Sequence, residues 1–389
     1  MNNEQLNDLA KKLYDEKKFE EALHVLDIPN LPKELIPNLA KCHYYTGNPQ
    51  KALELIENLP KDHELSIDYS LYNNYSGNYD KAFSILEKLQ KNSSDPKVMF
   101  NLGWHFLRLG EFKLGFRHLE YGSKCRSWGN EYSYIEQGIL DKSKRWNGKD
   151  KVEHLSVIME GGLGDEIIFF RWITHLSEFC NDMVVYCNKN LMRLFINSSY
   201  DNITFRPIQL LTGKGIDKYC PSMSIPSICE TINSPMDHVI FPYLNGDFND
   251  RYYGKLFNSY SNGLPVVGVK WQGNQQFEHD QMRSVPKNDI INYATRNGEI
   301  PFSLQLEDID NNILNLNQLL SSNDWYDTAT VISNLDKVVS TCTSIPHLCG
   351  AMNHSVEVVI PNVPYFIWAN KDIPWYLESV KLLNKKDIL

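Results

Sequence analysis

The chain has 389 residues, 42% apolar and 22% charged, the composition of a folded globular protein with room for two or three domains. Lys and Arg number 39 against 48 Asp and Glu, a formal net charge of −9, which argues against nucleic acid as a main partner. No apolar run reaches the ~18 residues that span a bilayer, no basic stretch followed by an apolar one opens the chain, and eight scattered cysteines form no Cys-x-x-Cys pair or zinc spacing; a cytoplasmic enzyme with reduced thiols is expected.

The first third repeats itself. A small residue is followed twelve positions later by Ala or Gly at Ala10/Ala22, Ala40/Ala52, Ser70/Ala82 and Gly103/Gly115, in steps of 30, 30 and 33 residues. Polar turns separate the members of each pair, as in Tyr14-Asp15-Glu16-Lys17-Lys18-Phe19, Tyr45-Thr46-Gly47-Asn48-Pro49, Tyr75-Ser76-Gly77-Asn78-Tyr79 and Leu109-Gly110-Glu111-Phe112. Each unit is predicted to be a helix–turn–helix in which small residues let the two helices approach, and stacked units bury a seam that one pair could not bury alone. This pattern resembles the tetratricopeptide repeat over residues ~1–120, in shortened copies. Such an array serves either as a rod or dimerisation surface, or as a groove for an acceptor or protein partner.

From Lys151 the pattern changes. Leu155-Ser156-Val157-Ile158-Met159 is a buried-strand candidate, followed by Gly161-Gly162-Leu163-Gly164-Asp165 and then by Ile167, Ile168, Phe169, Trp172, Ile173 and Leu176 at helical spacing. Strand, glycine turn and helix start is the grammar of a ligand-facing loop in an open parallel sheet. Met183–Cys187 is the next strand, and a helix begins at Leu191. Asn245–Gly263, rich in Asn, Gly, Asp, Ser and Tyr, is expected to connect to a second unit. There the predicted strands are Pro265–Trp271, Phe302–Gln305, Lys337–Ser340 and Val356–Ile360, with helices over Trp325–Asn334 and Ile345–Met352. Strands alternating with helices, twice over, predict two doubly wound domains facing one another.

The glycine loop is not a dinucleotide fingerprint, because Ile167 stands where a third small residue belongs, and no Gly-Lys-Ser/Thr ending makes it a P-loop. Asp165 is either a helix N-terminal cap or a carboxylate at the mouth of a cleft, able to take a proton from an attacking hydroxyl. The helix dipole is expected to depress its pKa. Arg283-Ser284 follows a polar loop running from Gln272 to Gln281, and an arginine can fork two N–H groups onto a phosphate. Ser340-Thr341-Cys342-Thr343-Ser344 joins a strand to a helix, where hydroxyls and N–H groups either cap the helix or bind an anion.

Six segments occur in this order: Gly161–Phe169, Gly268-Val269-Lys270-Trp271-Gln272-Gly273-Asn274, Arg283-Ser284-Val285-Pro286, Asp327-Thr328-Ala329, Cys342–Ala351 and Pro374-Trp375-Tyr376. Together they resemble the bacterial tetratricopeptide-repeat proteins whose C-terminal part is similar to the heptosyltransferase-type (family 9) GT-B glycosyltransferases, over residues ~146–380. The resemblance implies a TPR-like helical repeat domain over 1–145, a Rossmann-like acceptor-side domain over 146–262 and a Rossmann-like nucleotide-sugar-binding domain over 263–389. It implies inverting transfer of a sugar from a nucleotide-sugar donor to a glycan or protein acceptor, with no metal and no cofactor. Asp165 matches the family's candidate base, in the glycine loop Gly161, Gly162 and Gly164. Lys270, Gln272, Arg283, Gln305, Thr343, Ser344 and His347 match donor-binding positions, Arg283 at the diphosphate, Thr343 and Ser344 at the phosphate turn, and Gln305 near the nucleobase.

Cys342 stands where many relatives have Asp. That departure sustains an alternative, a catalytically degenerate scaffold that acts through protein contacts or self-association at its repeats. His347 also reads as a histidine satisfied against the sheet, and Trp375 and Tyr376 as packing. A nucleotide-sugar epimerase or dehydrogenase is disfavoured by the missing dinucleotide fingerprint.

Overall fold

The structure is a computed structural model, and it describes residues 3–199, 202–246, 248, 251–275, 277, 280–306, 313–316, 320 and 323–389. Helices come first, paired as α1 (Asn3–Asp15) with α2 (Phe19–Leu26), α3 (Ile36–Tyr45) with α4 (Pro49–Ile56), α5 (His63–Tyr75) with α6 (Tyr79–Asn92), and α7 (Pro96–Arg108) with α8 (Phe112–Leu119). The small residues sit where each pair closes. Ala10, Ala22, Ala40, Ala52, Ser70 and Ala82 are buried, and a Cβ on Gly103 would meet the Leu119 backbone N at 2.9 Å. Gly47, Gly77 and Gly110 close three of the turns at φ +87°, +86° and +87°, where glycine pays no Cβ penalty; the first turn makes do with Lys17 at φ 59°.

The chain then crosses a short helix, α9 (Glu131–Glu136), into a parallel sheet of β1 (Val152–Ile158), β2 (Cys180–Cys187), β3 (Ile203–Pro207) and β4 (Lys218–Pro221), in the order β3-β2-β1-β4. Leu155 of β1 lies level with Met183 of β2 and Lys218 of β4. Helix α10 (Leu163–Phe170) follows β1. A second parallel sheet holds β5 (Val266–Lys270), β6 (Ile300–Ser303), β7 (Lys337–Thr341), β8 (Val356–Ile360) and β9 (Val380–Asn384), in the order β6-β5-β7-β8-β9. Parallel strands covered on both faces read as short unbroken apolar runs, which is why β1, β2, β5, β7 and β8 were predicted within a few residues. β3, β4 and β9 were not. The Asn245–Gly263 stretch is also more ordered than its polar composition suggests: residues 247, 249 and 250 lie outside the described residues, but Arg251–Ser261 is a helix whose Phe257 packs 4.8 Å from Phe302 of β6.

One apolar core runs from the last helical pair through both sheets, from Leu107, Phe112 and Phe116 by way of Phe169 and Trp172 to Trp375 and Tyr376. The two last residues are each 4% exposed, so they pack, as their plainer reading expected. Lys113 of α8 pins the joint by donating to the carbonyls of Pro226 (3.1 Å), Cys229 and Ile232 (2.6 Å).

Strand order fixes where a ligand can sit. In each sheet the first strand has its successor on one side and a later strand on the other, β1 between β2 and β4 and β5 between β6 and β7. Loops leaving the carboxyl ends of strands part at such a point and leave a crevice. The loops concerned are Glu160–Gly162 after β1, Trp271–Asn274 after β5 and Cys342–Thr343 after β7.

Candidate functional site

These loops open on one cleft of about 2730 Å³, lined by Asp165 and the glycine loop from the first sheet, by Lys270, Arg283 and Thr343 from the second, and by Trp104 and Arg108 from the helical array. The two sheets meet closely at its base, where a Cβ on Gly164 would lie 3.1 Å from the His347 ring and 3.5 Å from the Ser344 Cα. Gly164 thus lets the first turn of α10 rest against the helix Ser344–Ala351.

Asp165 stands in the first turn of α10. Its Oδ2 accepts from the Gly162 N–H at 2.8 Å and its Oδ1 from the Tyr365 hydroxyl at 2.6 Å. Both bonds favour the carboxylate, but burial in the cleft outweighs them and raises its pKa above the usual aspartate value. The expected depression by the helix dipole is therefore overturned, and the cause is desolvation. A raised pKa makes the carboxylate a better proton acceptor.

On the opposite wall, burial and the neighbouring Arg283 guanidinium push Lys270 down to about 8, while its Nζ donates to the Leu304 carbonyl at 3.3 Å. Arg283 sits in a one-turn helix, Asp280–Arg283, not in an open loop; residues 276, 278 and 279 of that expected loop lie outside the described residues. Its Nε donates to Asp280 Oδ1 at 2.8 Å and its Nη1 to the Cys342 carbonyl at 3.2 Å. One edge of the expected fork is thus committed to orienting the group. Bare backbone at Gly273 makes room for it, since a Cβ there would fall 2.1 Å from Arg283 Nη2.

Thr343 precedes the helix Ser344–Ala351 in extended conformation (φ −133°, ψ −171°), and its side chain makes no cap bond. Its hydroxyl lies 3.3 Å from that of Ser340. Gln305 is buried, and its Oε1 accepts from the Gln272 N–H at 3.2 Å, so these two predicted residues tie the loops after β5 and β6 together. His347 is 4% exposed, with Nδ1 3.2 Å from the Tyr376 hydroxyl and its ring stacked 5.2 Å from Trp368. Burial pushes it down to about 3, and it is held neutral in the core. The predicted residues thus divide between two walls of one cleft, with Gln305 and His347 set deepest.

Three side chains at the site were given no role by the sequence. Tyr365 follows Pro361-Asn362-Val363-Pro364 at the carboxyl end of β8, and a proline-bracketed loop at a strand's carboxyl end was the available signal. Glu160 and Glu166 bracket the glycine loop as buried carboxylates: Glu160 accepts from the Glu131 N–H at 2.7 Å, Glu166 from the Asn188 N–H at 2.9 Å. Burial raises each to about 7 from 4.5. A pKa raised on folding favours the native state at low pH, and that contribution is lost as pH climbs from 4.5 through about 7. Glu166→Gln keeps an oxygen for Asn188 and does not ionise. It is expected to flatten the fall in thermal midpoint across that window, with a gain on the order of 2 kcal/mol on the alkaline side, measured by thermal denaturation in a pH series.

No protein-family model matches the chain, and no curated protein matches it. Among solved structures it is similar to TibC, an iron-containing dodecameric glycosyltransferase of enterotoxigenic E. coli H10407, at 11% identity and a TM-score of 0.43 over 57% of this chain and 63% of that one. It is similar to the E. coli heptosyltransferase WaaC with ADP at 11% identity and a TM-score of 0.35, over 59% and 93%. A Thermobaculum terrenum O-GlcNAc transferase mutant aligns at 11% identity and a TM-score of 0.35, over 97% and 86%. The chain spans less than two thirds of TibC's length. No helix among the described residues is long and apolar enough to cross a membrane.

Proposed function

We propose that the chain is a glycosyltransferase of the GT-B type that moves a sugar, with inversion and without a metal, from a nucleotide-sugar to a hydroxyl on a glycan or protein. In this reading residues 1–145 are a tetratricopeptide-like array that holds the acceptor, a protein partner or a second copy. Residues 146–262 form the acceptor-side lobe and 263–389 the donor-binding lobe. A cytoplasmic setting is supported by eight cysteines standing as free thiols.

The observation that carries the proposal is the polarity of the cleft: a carboxylate of raised pKa on one wall faces Lys270, Arg283 and a helix N-terminus on the other. Breaking a sugar–phosphate bond puts charge on the departing diphosphate, and fixed cations and helix N–H groups stabilise it. Asp165 takes the proton of the attacking hydroxyl as the new bond forms on the opposite face of the ring. Asp280 holds the Arg283 guanidinium at its post.

Calorimetry with ADP and with UDP tests the donor half. The full chain is expected to bind at least one of them, and Arg283→Gln to weaken that binding about 10- to 100-fold, as loss of a charge-assisted contact implies. A second reading, a scaffold that has lost its chemistry, is favoured by Cys342 in the place of an acid; it gains if neither nucleotide binds.

A further inference from the structure

An unbroken set of contacts links the helical array to Asp165. The Asp165 carboxylate is held at both oxygens, by Gly162 of its own lobe and by Tyr365 from the segment after β8. Among the described residues the Tyr365 hydroxyl is its only side-chain donor. The thiol of Cys342 and the carboxyl of Glu166 lie near enough to feel its charge, and neither donates to it; the neutral ring of His347 lies against the neighbouring Gly164. The segment carrying Tyr365 contains only a one-turn helix, Phe366–Ala369, and needs support from elsewhere.

That support comes from the array. The Trp104 ring of α7 lies 5.7 Å from the Tyr365 ring and 5.8 Å from that of Phe366. Upstream, the Tyr79 hydroxyl of α6 donates to the Asn362 carbonyl. Downstream, Asn370 Nδ2 donates to the Arg108 carbonyl at 3.0 Å, and Gly110 fits so tightly that a Cβ would meet Ile373 at 2.8 Å. The array therefore grips the segment before, at and after Tyr365. A module that only presented an acceptor would have no need to touch the support of the base.

We propose that Tyr365 is a positioning residue for Asp165, and that α6 and α7 hold Tyr365 in place through Tyr79 and Trp104, which makes the helical array part of the catalytic apparatus. The proposal rests on Asp165 being the base. A hydroxyl donating to a carboxylate favours its ionised form and fixes its direction. With the hydroxyl gone, burial acts unopposed on Oδ1, and protonation persists to higher pH.

The test is carboxyl-carbon NMR titration of the full chain labelled at aspartate, with the Asp165 signal identified by its loss in Asp165→Asn. Tyr365→Phe is nearly isosteric and is expected to move the Asp165 midpoint to higher pH. Tyr79→Phe and Trp104→Phe are expected to move it the same way by less. ADP binding, read by calorimetry on the same samples, shows whether each variant keeps a folded donor wall. An unmoved midpoint in Tyr365→Phe overturns the positioning role. Unmoved midpoints in both Tyr79→Phe and Trp104→Phe overturn the part given to the array, and Tyr79→Phe, which removes one oxygen from a partly exposed ring, covers the case in which Trp104→Phe fails to fold. If no nucleoside diphosphate binds yet the Tyr365→Phe shift is seen, sugar transfer falls as a reading while the coupling to Asp165 stands.

Discussion

Asp165→Asn is expected to lower sugar transfer by roughly 10²–10⁴-fold, the usual worth of a general base, while nucleotide affinity stays within about twofold of wild type. The substitution keeps the size of the side chain and one of its two oxygens, so only one of the donors Gly162 N–H and Tyr365 O–H retains a partner. What it removes is the capacity to accept a proton. Because Lys270 and Arg283 line the cleft from the second sheet, the groups proposed to hold the diphosphate are untouched. Calorimetry with the nucleotide and chromatography of the sugar product measure the two halves separately. Transfer within a fewfold of wild type would remove Asp165 from the chemistry.

The second large effect concerns stability. Arg171, at the end of α10, is 2% exposed and donates to the carbonyls of Ile168 (2.9 Å), Pro235 (3.1 Å) and Trp375 (2.7 Å), and to the Tyr243 hydroxyl at 3.3 Å. The rings of Tyr243, Trp375 and Tyr376 lie 5.1, 5.0 and 4.9 Å from its guanidinium carbon. No carboxylate pairs with it among the described residues, so carbonyl dipoles and ring faces solvate the charge. Arg171→Ala strands those carbonyls and opens a void between the first lobe and the C-terminal segment. The expected cost is about 3–5 kcal/mol, a fall of roughly 4–6 °C in thermal midpoint for a chain of this size. Arg171→Lys is expected to recover only part of it, because an ammonium cannot reach acceptors spread around a planar fork. A midpoint within a degree or two of wild type in Arg171→Ala would mean that the contacts form without holding the lobes.

How much of this could be read from the residues depended on whether the signal was local. Small-residue pairs twelve apart announced the helical hairpins because one steric rule recurs in each. β1, β5 and β7 were visible as apolar runs before a turn, since both faces of a parallel sheet are covered. β3 (Ile-Thr-Phe-Arg-Pro) buries only Ile203 fully and β4 is four residues ending in proline, so neither carries such a run. Asp165 and Arg283 were found as residues but not in their settings. The direction of the Asp165 shift depends on how deep the cleft is, which no spacing reports. The Tyr365 contact bridges 200 positions of chain. The Asp280–Arg283 pair lies only three residues apart, but in a stretch read as polar loop its helical turn was missed.

The way the core is divided has a consequence for how the molecule can change over generations. α1–α4 are filled by two small local clusters, Leu6 to Cys42 and Ala40 to Tyr72, whereas the last hairpin shares its interior with both sheets. Units that touch only their neighbours can be gained or lost without disturbing the rest. The reach of the array can thus change by whole hairpins remote from the sheets, while the inner two, which grip Asn362, Tyr365 and Asn370, stay bound to the fate of the two sheets.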